Sequence, residues 1–291
     1  MATQPAAALQ NEARQAQIEE ERQRRIAEHK RAIAADGLAN LTLAERAGRG
    51  PLNIFAEGDS WFDYPLSQDT INWIGSGGNP RPYILNLAHH GDAATEVLGV
   101  SRRKRIIQNL SDGENGAFDA MLFSAGGNDL AGDQFCLWLK NHVAGAKPAQ
   151  GVDRQRLANI VGVVKAAYVD LIEICAKTSP GCVLFVHAYD FAQPTNKGVC
   201  GLGPWLAPSL DLRGWTQFPQ AAEVVKEVLL EFDKLLAELE AQHRNVVYVR
   251  TQRTLAPDSE WANELHPKEP GFRKIAGVFL EALRTKFRNR I

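Results

Sequence analysis

Very little in this chain suits it to a cross-linked or membrane-embedded life. Cysteine is sparse: Cys136, Cys175, Cys182 and Cys200 are the only four in 291 residues. They show neither C-x-x-C spacing nor the density of a disulfide scaffold, so all four are expected as reduced thiols, with Cys182 in a core strand. The N-terminus has no basic segment leading into a long apolar one, and no later stretch approaches the length of a membrane span, so no span is expected and the expected compartment is the cytoplasm. An excess of one charge is missing too. A formal net charge of −1 gives no field that would gather nucleic acid or an anionic membrane. Internal repeats and low-complexity tracts are absent.

What is present divides the chain at about residue 50. Residues 7–35 contain neither proline nor glycine and carry i,i+4 charge pairs, Glu20 with Arg24 and Glu21 with Arg25, so they read as a helix. Its apolar positions, Ile18, Ile26 and Ile33, are too sparse for a core face, which predicts a solvated helix lying against the rest of the protein. Ala47-Gly48-Arg49-Gly50-Pro51 then reads as a linker. Residues 1–50 are therefore expected to be a helical extension with linker, and residues 51–291 one domain. Removing residues 1–48 is expected to leave that domain's activity in place.

From Leu52 onward, apolar runs of strand length alternate with helical patterns. The runs are 52–56, 83–87, 120–123, 183–186 and 246–249, and the helical patterns cover about 92–110, 153–178, 220–243 and 270–288. Five such runs separated by helices imply right-handed crossovers and a parallel sheet covered on both faces. The expected fold class is α/β: a three-layer, flavodoxin-like fold with a five-stranded parallel sheet and an N-terminal helical extension. Two segments break the alternation. Residues 192–218 are too long and apolar for a plain connection and suggest a lid, with Trp205, Trp215 and Phe218 as a wall for a substrate pocket. Gly75-Ser76-Gly77-Gly78-Asn79-Pro80 lacks the lysine of a phosphate-binding loop and reads as a flexible turn.

In an open parallel sheet, reactive groups collect at the C-terminal ends of the strands. The first run, Ile54-Phe55-Ala56-Glu57-Gly58, stops at Asp59-Ser60. His89-His90-Gly91-Asp92 follows the second and Ser124-Ala125-Gly126-Gly127-Asn128-Asp129 the third, while Asn263-Glu264-Leu265-His266-Pro267 lies beyond the last. These ends supply a hydroxyl nucleophile, a base for its proton, and donors for a developing oxyanion, which is the equipment of acyl transfer. Each residue also has a plainer reading: Ser60 as a helix cap, Gly91 as a turn residue, Asn128 as a left-handed turn former with Asp129 capping the next helix.

Taken together and in this order, the four motifs resemble those of the SGNH (GDSL-type) hydrolase superfamily over about residues 52–285. The resemblance implies a serine hydrolase acting on a small-molecule carboxylic ester, esterase/lipase-like or O-deacetylase-like, through an acyl-enzyme and with no metal or organic cofactor. It makes Ser60 the nucleophile and one oxyanion donor through its own N–H, Gly91 and Asn128 the other donors, and His266 the general base. The sequence departs from the family three residues before the histidine, where the usual aspartate is Asn263. Asn263 can orient the imidazole without supplying charge, and Glu264 is the alternative acid, an extended segment placing it on the same side as His266.

Two other functions fit parts of the sequence. One is a non-catalytic acyl- or glycan-binding module on the same fold. The other is a metal-dependent phosphoesterase using Asp59, Asp63, His89, His90, Asp92 and His187, although the Asp-x-His, Gly-Asn-His-Asp and Gly-His-x-His spacings of such sites are missing. His187 reads instead as a partly buried strand end. Arg102-Arg103-Lys104-Arg105 reads as a solvated helix surface without a function, and oligomeric state leaves no trace in the sequence.

Overall fold

The computed structural model describes residues 3–46, 50–288 and 290–291, with side chains from residue 12 onward. Strands β1 (Asn53–Gly58), β2 (Tyr83–Asn86), β3 (Ala120–Ser124), β4 (Val183–His187) and β5 (Val246–Val249) form one parallel sheet in the order β2-β1-β3-β4-β5. β1, β3 and β4 are buried along their whole length, and so their sequences are continuous apolar runs rather than alternating ones. The register sets Gly58 beside Ser124 and Ala56 beside Asn86, which brings the ends of the first three strands to one edge of the sheet.

Among the described residues, ten α-helices accompany the sheet. Helices α1 (Thr3–Ala35) and α2 (Leu43–Arg46) precede the sheet; α3 (Thr70–Gly77) follows β1, and α4 (Ala94–Val97) and α5 (Val100–Ser111) follow β2. β3 leads into α6 (Gly127–Leu130) and α7 (Arg154–Thr178), β4 into α8 (Ala207–Leu212) and α9 (Phe218–Gln242), and α10 (Glu269–Lys286) comes last. α3 packs with α10 on one face, while α5 and α9 flank α7 on the other. This is the three-layer α/β arrangement expected from the sequence, and no described helix is long and apolar enough to cross a membrane.

The expected turn at residues 75–80 is in part a helix end. Asp69 opens α3 with a capping box: its carboxylate accepts the Asn72 N–H (3.0 Å) and its own N–H donates to Asn72 Oδ1 (2.9 Å). With Ile71 and Ile74 buried, that cap carries the helix through Gly75-Ser76-Gly77.

The N-terminal helix also differs from expectation. Of the linker reading, residues 47–49 lie outside the described residues. α1 itself is not merely solvated but lies against the edge strand β2, whose unpaired carbonyls it covers with guanidinium groups. Arg25 Nη1 donates to Asn86 O (3.3 Å) and Arg22 Nε to Leu87 O (3.1 Å). Arg22 is buried and reaches Asp92 (3.4 Å); His29 stacks on Phe118, and Ile33 is fully buried. Hydrophobic spacing missed this contact because most of it is made by arginine and histidine.

The arginine cluster is corrected in the same way. Arg102 lies 2.6 Å from Asp92 and Arg105 3.3 Å from the fully buried Glu57, since positions three apart share one helix face; Arg103 pairs with Asp170. Removing residues 1–48 would expose Ile33's site and take one partner from Asp92. A loss of at least about 2 kcal/mol of stability is expected, read as a lower denaturant midpoint.

Candidate active site

The site begins with a close approach between two strands. Gly58 has φ +140°, and a Cβ there would overlap Ser124 O, so β1 and β3 can run this close only with glycine. Beyond it Asp59 N–H donates to Ser124 O (2.8 Å), and the N–H groups of Phe62 and Asp63 donate back to Asp59 O (3.0 and 3.1 Å). The chain therefore turns tightly with Ser60 at the sheet edge. The Asp59 carboxylate is buried under this turn and accepts hydrogen bonds from Trp61 N–H (3.0 Å), Ser124 Oγ (2.8 Å) and Tyr189 Oη (2.6 Å). Burial pushes its pKa up to about 7. His187 is fully, not partly, buried; its Nε2 lies 2.9 Å from Ser124 Oγ, and burial pushes its pKa down to about 3.

Ser60 Oγ lies 2.7 Å from His266 Nε2 across 206 residues of sequence. The other ring nitrogen, Nδ1, is 2.9 Å from Asn263 Oδ1. That same oxygen accepts the N–H groups of Leu265 (3.0 Å) and His266 (2.9 Å), which fixes the amide with its oxygen toward the ring. Nδ1 must then carry the hydrogen and Nε2 the lone pair, so the Ser60 hydroxyl donates to a free base. Tyr64 stacks on the imidazole with centroids 4.7 Å apart, and its hydroxyl accepts from Asn263 Nδ2 (3.4 Å). Burial, helped by the nearby His90, pushes the His266 pKa down to about 4.

Asn263, not Glu264, meets the histidine. Residues 262–266 form a turn, with the Ala262 and Asn263 N–H groups donating to His266 O, rather than the extended segment that would have aligned Glu264 with the ring. The fully buried Glu264 carboxylate faces the 192–218 segment. One oxygen accepts the N–H groups of Trp205 (2.5 Å) and Leu206 (2.7 Å), the other those of Asn196 (3.0 Å) and Ala207 (3.1 Å). Because Asn263 is uncharged, Asn263→Asp should raise the His266 pKa by about one unit or more. A base that works as free imidazole then loses activity at higher pH than in the wild type, and the acid limb of kcat/KM shifts upward in a pH–rate profile.

Gly91 follows β2 with φ +86°; nothing crowds its Cβ position, so the backbone angle is what calls for glycine. Asn128 sits in α6, its Nδ2 donating to Asp92 O (2.9 Å). Asp129 caps α4 across the gap, accepting from Ala94 N–H (2.6 Å) and Thr95 Oγ1 (2.9 Å), rather than a helix after its own. These bonds tie the segment after β2 to the segment after β3. Among the described residues neither Ser60 N–H nor Gly91 N–H has a hydrogen-bond partner, and the Asn128 amide keeps a second hydrogen.

Beside these groups is a cleft walled by Leu130, Phe135, Leu206, Val225, Val228 and Leu229. None of the three expected wall residues is among those lining this cleft. Trp205 stands edge-on to His266, centroids 5.7 Å apart, but Trp215 is buried elsewhere with its Nε1 donating to Lys140 O (2.9 Å), and Phe218 is exposed at the start of α9. The cleft residues of α9 are spaced as a core stripe, so no separate signal marked them out. Of the suggested metal ligands, His90 lies 3.5 Å from Asp63 and His89 3.7 Å from Asp92, the two rings stacked on each other, yet among the described residues no three His, Cys, Asp or Glu are placed to hold one ion.

No family model matches this chain, and no curated protein matches it. Solved structures do. The lipase Lip_vut3 from a goat rumen metagenome is 14% identical with TM-score 0.52, the match covering 79% of this chain and 97% of that one. The extracellular lipase of Streptomyces rimosus is 15% identical with TM-score 0.51, covering 80% and 99%. At such identities the likeness establishes the fold alone, the three-layer α/β arrangement this chain shares with the two lipases.

Proposed function

We propose that this protein is a serine hydrolase that cleaves a carboxylic ester through an acyl-enzyme. The observation that carries the reading is the Ser60–His266 hydrogen bond (2.7 Å) in the one tautomer that leaves Nε2 basic. Ser60 Oγ attacks the ester carbonyl carbon while its proton passes to His266 Nε2. The carbonyl oxygen, now negative, is received by the Ser60 N–H, the Gly91 N–H and the second hydrogen of the Asn128 amide. Collapse expels the alcohol, protonated by His266, and leaves the acyl group on Ser60. Water, deprotonated by the same nitrogen, then releases the acid. Asn263 Oδ1 holds Nδ1–H throughout, and it stabilises the imidazolium as a dipole rather than as an anion.

A fluorophosphonate should label Ser60 in the native protein but not in heat-denatured protein or in Ser60→Ala. No labelling of the native protein would remove the nucleophile from this mechanism. Asn128→Ala should lower kcat about a hundredfold with KM little changed, because its second hydrogen is engaged only in the transition state. A change confined to KM would instead make Asn128 a substrate-binding residue.

A further inference from the structure

The cleft beside Ser60 is more selective than ester hydrolysis alone requires. Its walls away from the serine are hydrocarbon: Leu130, Phe135, Leu206, Val225, Val228 and Leu229. Apart from Ser60, Asn128 and His266 at its mouth, the polar residues it touches are already engaged. Tyr189 Oη donates to Asp59 and receives the Gly127 N–H, and the Asp190 carboxylate accepts the N–H groups of Phe191, Arg253, Thr254 and Leu255 at 2.7–2.8 Å. A sugar hydroxyl or a phosphate pushed into this cleft would lose water and gain no partner, whereas an alkyl chain loses nothing. The alcohol has to leave past His266 Nε2, whereas the acyl group stays on Ser60, so the hydrocarbon walls suit the acyl chain.

Size sets the next limit. The cavity volume is about 50 Å³. Since about 10–15 Å³ is the least that admits one water-sized group, it takes only a few heavy atoms. The walls are not free to retreat, because Val225, Val228 and Leu229 belong to the buried face of α9, and the N–H of Leu206 is bound to Glu264. Resting on the hydrolase reading above, we infer that the cleft is a fixed acyl pocket for unbranched chains of two to four carbons, with Phe135 and Val228 setting the length limit.

The experiment compares kcat/KM for the 4-nitrophenyl esters of acetate, butanoate and octanoate in the full chain, alongside fluorophosphonate labelling of Ser60. Octanoate should fall about a hundredfold or more below butanoate. Val228→Phe should raise the acetate-to-butanoate ratio at least about tenfold, and Phe135→Ala should raise octanoate relative to butanoate by a similar factor. If Phe135→Ala does not fold, Leu229→Ala opens the same space and should move the ratio in the same direction. Wild type that takes octanoate as well as butanoate, or folded, active variants with unchanged ratios, would overturn the pocket while labelling of Ser60 still upheld the hydrolase. Absence of both labelling and turnover would bring down the hydrolase and the pocket with it.

Discussion

Ser60→Ala is expected to lower turnover of any ester by about 10⁴-fold or more while leaving the fold as stable as before. The hydroxyl donates to one acceptor, and that acceptor is a neutral imidazole still held by Asn263 and Tyr64, so its loss strands no charge. His266→Ala should fall to a similar level, and the double variant no further, because nucleophile and base act as one unit. The rate that survives is what the oxyanion donors and the cleft supply alone. Steady-state kinetics with melting curves on the three variants tests this, and full activity in Ser60→Ala would end the acyl-enzyme mechanism.

Glu264→Gln should produce the largest loss of stability from any single near-isosteric change at the site, about 3–5 kcal/mol. The buried carboxylate meets four N–H groups, two at each oxygen. An amide can accept at one oxygen only, and its NH₂ would point hydrogens at two backbone donors that water cannot reach. Urea unfolding should show the midpoint drop with an unchanged slope. The same variant separates this role from that of a catalytic acid. Were Glu264 the third member of a triad, Glu264→Gln would collapse kcat in a protein of wild-type stability.

The sheet and three of the four marker positions were legible because burial writes itself into sequence. Strands buried on both faces need continuous apolar runs, and Ser60 and Asn128 stand shortly after two of them, while Gly91 follows the partly buried edge strand β2. What could not be read was anything done by atoms that look the same in two roles. Val225, Val228 and Leu229 are aliphatic whether they face the core or a cleft. Arg22 and His29 dock α1 as firmly as leucines would, yet count as solvent residues in any periodicity. α3 was not read from the sequence, because the glycines of residues 75–80 read as a turn. Choosing between Asn263 and Glu264 depended on whether residues 262–266 turn or extend, and side-chain spacing says nothing about that.

The 206-residue separation of Ser60 from His266 makes the catalytic hydrogen bond a marker of completed assembly. During synthesis β1 leaves the ribosome well before the histidine turn and α10. A nascent chain can thus hold most of its sheet and still carry an inert serine. In refolding, far-ultraviolet ellipticity should recover ahead of reactivity toward a phosphonate, because contacts so distant in sequence are slow to close. On the proposed mechanism, Ser60 gains its base only when the histidine turn docks.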